Sequence, residues 1–349
     1  MKTVFISTLT FTFLLFASCG SSNTNTSDLF EIQLKDAKTE FQQNDKVTIT
    51  LKNKKNTTID SISYVIDGNP IDLKDNSFTL DMTKLGAKTI KATINYDGKN
   101  GEVTKDIRVL AKNAPEVYTY EIINEFPHDI NAFTQGLEFY KDTLYESTGK
   151  KGMSSLRKID FRTGKVLKQI NLEDTYFGEG ITILNDKIYM LTWQSGIGFI
   201  YDIKDFKKIS SFKYGESKEG WGLSNDGKNL YKSDGSEKIW LLNPETLTEQ
   251  GHLETVTNKS IFNKTNELEY VNGLIYANVW QKDGMMIIDA ESGAIIGVIN
   301  FGSLKNKVTK HENLDVLNGV AYHQGRGTFF VTGKNWDKLF EVKILKKDL

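Results

Sequence analysis

The sequence predicts an all-β protein: a five-bladed β-propeller preceded by a small β-sandwich. Three observations carry that expectation. The 349 residues include 14 Tyr, 20 Phe and 28 Gly, and aromatic side chains suit pleated surfaces while glycines suit tight turns. Between Phe30 and Leu110, apolar and polar residues alternate at period two with no competing helical period. From Val117 onward one pattern recurs five times at the spacing of four-stranded blades.

In chain order, the first element is an address label. A basic start at Lys2, an apolar run from Val4 to Phe16 and then small residues form a secretory signal, too short to span a bilayer. Cys19 is the single cysteine of the chain and directly follows Phe16-Ala17-Ser18. This stretch resembles the lipobox of bacterial lipoproteins, with Phe where Leu is usual. The resemblance implies that residues 1–18 are removed and that Cys19 is lipidated. It implies a lipid-anchored protein of the bacterial cell envelope, facing the periplasm, with the membrane as a partner through that anchor. Residues 19–29 are rich in Ser, Asn and Thr and are expected to be a flexible tether.

Residues 30–112 read as strands, with Val47, Ile49 and Leu51, then Ile62, Tyr64 and Ile66, then Ile90, Ala92, Ile94 and Tyr96 on inward phases. Turn signals at Asp67-Gly68-Asn69-Pro70 and Asp97-Gly98 separate them. The stretch resembles the immunoglobulin-like modules of bacterial surface proteins. Lys112-Asn113-Ala114-Pro115-Glu116 reads as a linker, so residues 113–349 form the propeller domain.

Its repeats are Gln135-Gly136-Leu137 leading to Leu144-Tyr145, Glu179-Gly180-Ile181 to Ile188-Tyr189, Trp221-Gly222-Leu223 to Leu230-Tyr231, Asn266-Glu267-Leu268 to Ile275-Tyr276, and Asn318-Gly319-Val320 to Phe329-Phe330. Successive aromatics lie 44, 42, 45 and 54 residues apart, near the ~40–50 residues of a four-stranded blade. Val117 to Phe126 and Leu339 to Ile344 lack hairpin partners of their own, so the two ends are expected to share one blade and close the ring.

Residues at one phase of every blade share one height around the axis. The position before the glycine holds Gln135, Glu179, Trp221, Asn266 and Asn318; the position four after the aromatic holds Gly149, Trp193, Gly235, Trp280 and Lys334. Together they would form a ring of hydrogen-bonding groups beside indole walls, the composition of a ligand pocket. Composition narrows its chemistry. Forty-four Lys+Arg against 45 Asp+Glu leave a net charge of -1, without the basic footprint of a nucleic-acid partner. A single cysteine allows no intrachain disulfide and no Cys-rich zinc site, and His128, His252, His311 and His323 have no ligand spacing.

The runs that carry these positions resemble the plant and bacterial type of glutaminyl-peptide cyclotransferase, the glutamine cyclotransferase family. They are Phe133-Thr134-Gln135-Gly136-Leu137, Phe177-Gly178-Glu179-Gly180-Ile181, Thr192-Trp193-Gln194, Glu219-Gly220-Trp221-Gly222-Leu223, Asn266-Glu267-Leu268-Glu269-Tyr270, Tyr276-Ala277-Asn278-Val279-Trp280, Leu317-Asn318-Gly319-Val320-Ala321 and Val331-Thr332-Gly333-Lys334. The resemblance covers residue 117 to the end and leaves out residues 1–112. It implies a five-bladed propeller that converts N-terminal Gln of peptides or proteins to pyroglutamate with loss of ammonia. It also implies that Glu179 is the acid/base, that Gln135, Asn266 and Lys334 make the polar contacts to substrate or oxyanion, and that Phe133, Trp193, Trp221 and Trp280 form the aromatic pocket. No cofactor is required by that chemistry, although family members can carry a structural calcium ion whose ligands are not assignable from this sequence. Two other readings of the ring stand beside it. A calcium-dependent lactonase-like hydrolase would use Glu179, Asn266 and Asn318 as ligands, and a non-catalytic propeller would bind a ligand there.

Overall fold

The computed structural model describes residues 25–347, so residues 1–18, read as a signal peptide, and Cys19 lie outside the described residues. The stretch expected as tether is ordered at its end: Thr26–Leu29 is one helical turn, and Leu29 packs against the core that follows. Two sheets then share that core. One orders Phe30–Leu34, Lys46–Asn53 and Ser77–Thr79; the other orders Glu40–Gln42, Lys99–Leu110, Gly86–Tyr96, Ile59–Ile66 and Asn69–Ile71. The period-two alternation places Val47, Ile49, Ile90, Ala92 and Ile94 inside, all essentially without exposure. Ile62 departs from it and is 39% exposed. The short strand Asn69–Ile71 pairs only with Tyr64 to Ile66, so the rest of Ile59–Ile66 is a sheet margin beyond the narrower facing sheet.

From residue 116 onward the chain forms five four-stranded antiparallel units. The first is Thr134–Tyr140, Thr143–Thr148, Ser155–Asp160 and Lys165–Asn171. The second, third and fourth repeat that meander from the inner strands Gly178–Leu184, Leu223–Asn225 and Thr265–Val271. The fifth joins Leu317–His323, Thr328–Gly333 and Lys338–Lys346 to a strand from the other end of the domain, Glu116–Pro127. That last pairing is antiparallel, with Leu339 opposite Phe126 and Ile344 opposite Tyr120. The two ends therefore hydrogen-bond to each other, as the unpaired segments of the sequence required. Glu116 to Tyr118 also pairs in parallel with Gly297 to Ile299 of the fourth unit, joining the fourth and fifth units into one eight-stranded sheet. Each inner strand packs on the next, and the fifth packs on the first.

Five apolar cores lie between neighbouring units, and the repeated aromatics explain them. Tyr145 belongs to the core between the first and second units, Tyr189 between the second and third, Tyr231 between the third and fourth, Tyr276 between the fourth and fifth, and Phe330 between the fifth and first. Each of these aromatics when fully buried, as all but the partly buried Tyr276 are, contributes roughly 1.5–3 kcal/mol of transfer free energy, which is why the sequence period is an aromatic period.

The glycines answer a different demand. A Cβ on Gly222 would stand 2.1 Å from Asn266 O and 2.7 Å from Glu267 Cα, and one on Gly180 would stand 2.6 Å from Leu223 N. Inner strands thus meet backbone to backbone. In the fourth unit Glu267 occupies this level, and its buried carboxylate accepts the N–H groups of Val320 at 2.9 Å and Leu137 at 3.3 Å. Gly222→Ala should therefore destabilise the domain by on the order of 3 kcal/mol through overpacking against immobile backbone. Denaturant unfolding at unchanged m-value checks this; a midpoint equal to wild type would refute the close approach.

The N-terminal module packs against the third and fourth units just before the segment read as a linker. Ala111 is 5% exposed and donates its N–H to Thr257 O at 3.1 Å; Leu85 N donates to Ser292 O at 3.0 Å, and Ala87 N to Glu254 Oε2 at 3.1 Å. Val256, Ile261 and Ala294 from the third and fourth units complete the module's own apolar core.

Candidate active site

In every unit the inner strand starts where the second strand ends, and in four of the five one backbone bond recurs there. Gly149 N donates to Phe133 O at 2.8 Å, Trp193 N to Phe177 O at 3.0 Å, Trp280 N to Lys264 O at 2.9 Å, and Lys334 N to Val316 O at 2.9 Å. This bond places side chains from two sequence phases at one end of the ring. They enclose a cavity of about 200 Å³ lined by Phe133, Gln135, Phe177, Glu179, Trp193, Trp221, Asn266, Trp280 and Lys334. All eight pocket positions singled out in the sequence are here; Cys19 lies outside the described residues. The glycines of the second phase keep the walls in place. A Cβ on Gly149 would stand 2.3 Å from the Phe177 ring, and one on Gly235 would stand 2.5 Å from the Trp221 indole.

The polar floor is a directed chain. Asn266 Nδ2 donates to Asn318 Oδ1 at 2.8 Å, Asn318 Nδ2 donates to Gln135 Oε1 at 3.2 Å and to Thr134 O at 2.9 Å, and Gln135 Nε2 donates to Glu179 Oε1 at 3.2 Å. A backbone carbonyl can only accept, so Thr134 O fixes which end of the Asn318 amide is nitrogen. Every later amide in the chain is oriented in turn, and Glu179 Oε1 must be an acceptor. The proton of a neutral Glu179 then sits on Oε2. Asn318 does not line the cavity; it orients two residues that do.

The walls form two aromatic arcs. Phe133 meets Phe177 with ring centroids 6.2 Å apart, and Phe177 meets Trp193 at 5.5 Å; Trp221 meets Trp280 at 5.7 Å, all edge-to-face. The Lys334 ammonium lies 4.9 Å over the Phe133 ring.

Burial sets the electrostatics. Glu179 is 5% exposed, and desolvation pushes its carboxyl well above the usual carboxylate range; Lys334 pulls it partly back and Glu219 adds to the rise. Desolvation also depresses the Lys334 ammonium, against the Glu179 and Asp315 carboxylates that support its charge. Beneath the cavity a buried pair ties the first inner strand to the Lys334 turn. Glu146 accepts from Thr134 Oγ1 at 2.7 Å and contacts His128 Nε2 at 2.9 Å, while His128 Nδ1 meets Trp336 O at 2.8 Å. Burial lowers the His128 pKa, but the Glu146 carboxylate outweighs it and the net shift is upward.

Sequence reading missed Phe177, Asn318's orienting role and Glu219. Phe177 and Glu219 share the phase of Phe133, two residues before the polar ring, and that phase was the signal. Among the described residues no group of three or more His, Cys, Asp or Glu side chains has metal-ligating geometry.

Comparison with known proteins gives concordant matches. A family model described as glutamine cyclotransferase matches residues 95–344, reaching back into the last strands of the N-terminal module. The glutaminyl-peptide cyclotransferase of Arabidopsis thaliana is 42% identical over 228 residues, covering 64% of this chain and 71% of that protein. The crystal structure of Myxococcus xanthus glutaminyl cyclase superposes with a TM-score of 0.62 at 32% identity, covering 67% of this chain and 100% of that one.

Proposed function

Because the chain belongs to the glutamine cyclotransferase family, we propose that it is a glutaminyl-peptide cyclotransferase, an acyltransferase that cyclises N-terminal Gln of peptides or proteins to pyroglutamate and releases ammonia. The observation that carries this reading is a buried carboxyl, raised above the usual carboxylate range by desolvation, and a buried ammonium lining one aromatic cavity of about 200 Å³. The same reading takes the five meanders as the blades of a propeller and the two N-terminal sheets as an immunoglobulin-like module; packing of the fifth inner strand on the first supports the former. The lipobox-like Phe16-Ala17-Ser18-Cys19 supports a lipid anchor and a periplasm-facing place in the cell envelope.

The reaction exchanges one C–N bond for another, so it needs no redox or group-carrying cofactor. The substrate's neutral α-amine, whose conjugate acid titrates near ~7.7–8.0, attacks its own γ-carboxamide carbon. The oxyanion that forms is stabilised by Lys334, with Asn266 beside it. Glu179 gives its Oε2 proton to the departing amide nitrogen, and the C–N bond to ammonia breaks. The carboxylate then takes a proton from the new ring nitrogen, so Glu179 ends as it began. A carboxyl that starts protonated suits this cycle, and burial supplies one. Phe133, Phe177 and the three indoles fold the glutamine side chain back by excluding its extended form.

Ammonia release from a Gln-initiated peptide, with an Asn-initiated control and with chelator, tests the reading. Chelator-resistant ammonia and pyroglutamate are expected; metal-dependent hydrolysis of other substrates, or binding without turnover, would overturn it. Trp280→Ala should raise KM about tenfold with kcat little changed, since it removes apolar contact made equally in ground and transition states. A loss confined to kcat would contradict that placement.

A further inference from the structure

Glu219 joins the two aromatic arcs of the cavity. One carboxylate oxygen, Oε2, accepts the indole N–H of Trp193 at 2.7 Å and that of Trp221 at 2.8 Å, while Oε1 accepts Gln194 Nε2 at 3.0 Å. We propose that Glu219 is a positioning residue that clamps Trp193 and Trp221 as fixed walls of the substrate slot. The same carboxylate adds to the rise of the Glu179 carboxyl. The clamp's role rests on the cyclotransferase reading.

The backbone around Glu219 is itself held unusually. Four units carry the recurrent N–H to carbonyl bond at the mouth; in the third unit the buried Lys232 ammonium instead takes Glu219 O at 2.7 Å and Ser217 Oγ at 2.5 Å. Gly220 N donates to Trp193 O at 3.0 Å, and a Cβ there would stand 2.4 Å from the Tyr214 hydroxyl. Tyr214 in turn bonds Thr192 N and O, both at 2.8 Å. Residues 214–221 are thus laced to the second unit, which removes the freedom that a half-exposed glutamate ordinarily has. No ammonium or guanidinium pairs with the Glu219 carboxylate among the described residues, so two indole dipoles and one carboxamide solvate it. The titratable groups whose charge bears on Glu179 are Lys334 from the fifth unit and Glu219 from this segment, and Glu179 in turn raises Tyr214.

The clamp and the charge separate in two variants. Glu219→Leu removes both, and KM should rise about tenfold, the scale for losing one ordered apolar contact surface, with kcat within a few-fold of wild type. Glu219→Gln keeps an oxygen that can accept both indole N–H groups. Its KM should stay near wild type while the alkaline limb of the kcat/KM profile moves to lower pH, because losing a like charge lets Glu179 ionise earlier. Near-ultraviolet circular dichroism of the immobilised indoles gives a readout free of turnover: Glu219→Leu should lose signal that Glu219→Gln retains. Wild-type KM in Glu219→Leu, or a KM loss in Glu219→Gln as large as in Glu219→Leu, would overturn the clamp. If Glu219→Leu does not fold, Glu219→Gln decides by its limb shift, and an unmoved limb would overturn the charge role. Absence of ammonia release by wild type would sink the functional reading, whereas an unchanged dichroism spectrum in folded Glu219→Leu would sink the clamp alone.

Discussion

Glu179→Gln should lower kcat by roughly 10²–10⁴-fold, the scale of a positioned proton-transfer group, without lowering Tm. The amide keeps an oxygen to accept from Gln135 Nε2, now 3.2 Å from Glu179 Oε1, and still fills the floor of the cavity. It cannot release a proton to the leaving nitrogen. The effect on stability follows from linkage. The Glu179 carboxyl is raised in the folded protein by burial, with Lys334 opposing and Glu219 reinforcing. Its contribution to stability is full below the unfolded carboxyl value and is lost as pH rises through the folded one. Glutamine has no such loss, so the variant's Tm should match wild type below the unfolded carboxyl value and exceed it increasingly as pH rises from there toward the folded one, as expected where a site holds a destabilised group for function. Turnover within a factor of about ten of wild type in the folded variant would remove Glu179 from the acid/base role.

Lys334→Met should reduce kcat on the order of 10²–10³-fold, the usual effect of deleting one oxyanion donor. Methionine keeps the length of the side chain over Phe133 but carries no charge. Lys334 lowers the Glu179 pKa in the native site; without it, Glu179 holds its proton to higher pH. The alkaline limb of kcat/KM should therefore move upward, opposite to the shift expected for Glu219→Gln. The opposed directions test the electrostatic assignment, because a merely structural disturbance would move both limbs alike or not at all. A raised KM with unchanged kcat would make Lys334 a ground-state contact.

The cavity was legible because phase in a repeat is a height. Gln135, Glu179, Asn266 and Asn318 share one phase, and that register brings them to one level of the ring. The repeated Tyr residues were legible for the same reason, although their role as plugs between units needed the packed structure. Ile62 misled the alternation because a strand's period says which side a residue faces and not whether another sheet covers that side. The packing of the N-terminal module was not legible for a related reason: Ala111 and Leu85 find partners at Thr257 and Ser292, contacts of long sequence separation that no local pattern announces.

The sequence by itself determined the period, the level at which each polar and aromatic residue sits, and the need for the chain ends to pair, since all three follow from local alternation repeated at a near-constant spacing. Tertiary structure alone decided how the levels are wired. The Thr134 carbonyl polarises the amide chain, Lys232 replaces a backbone N–H under Glu219, and one oxygen of Glu219 joins indoles from two units. Each depends on side chains from different units meeting within hydrogen-bond distance. Those meetings are set by the connections between units, whose lengths differ, and by inner strands that close backbone to backbone around the axis.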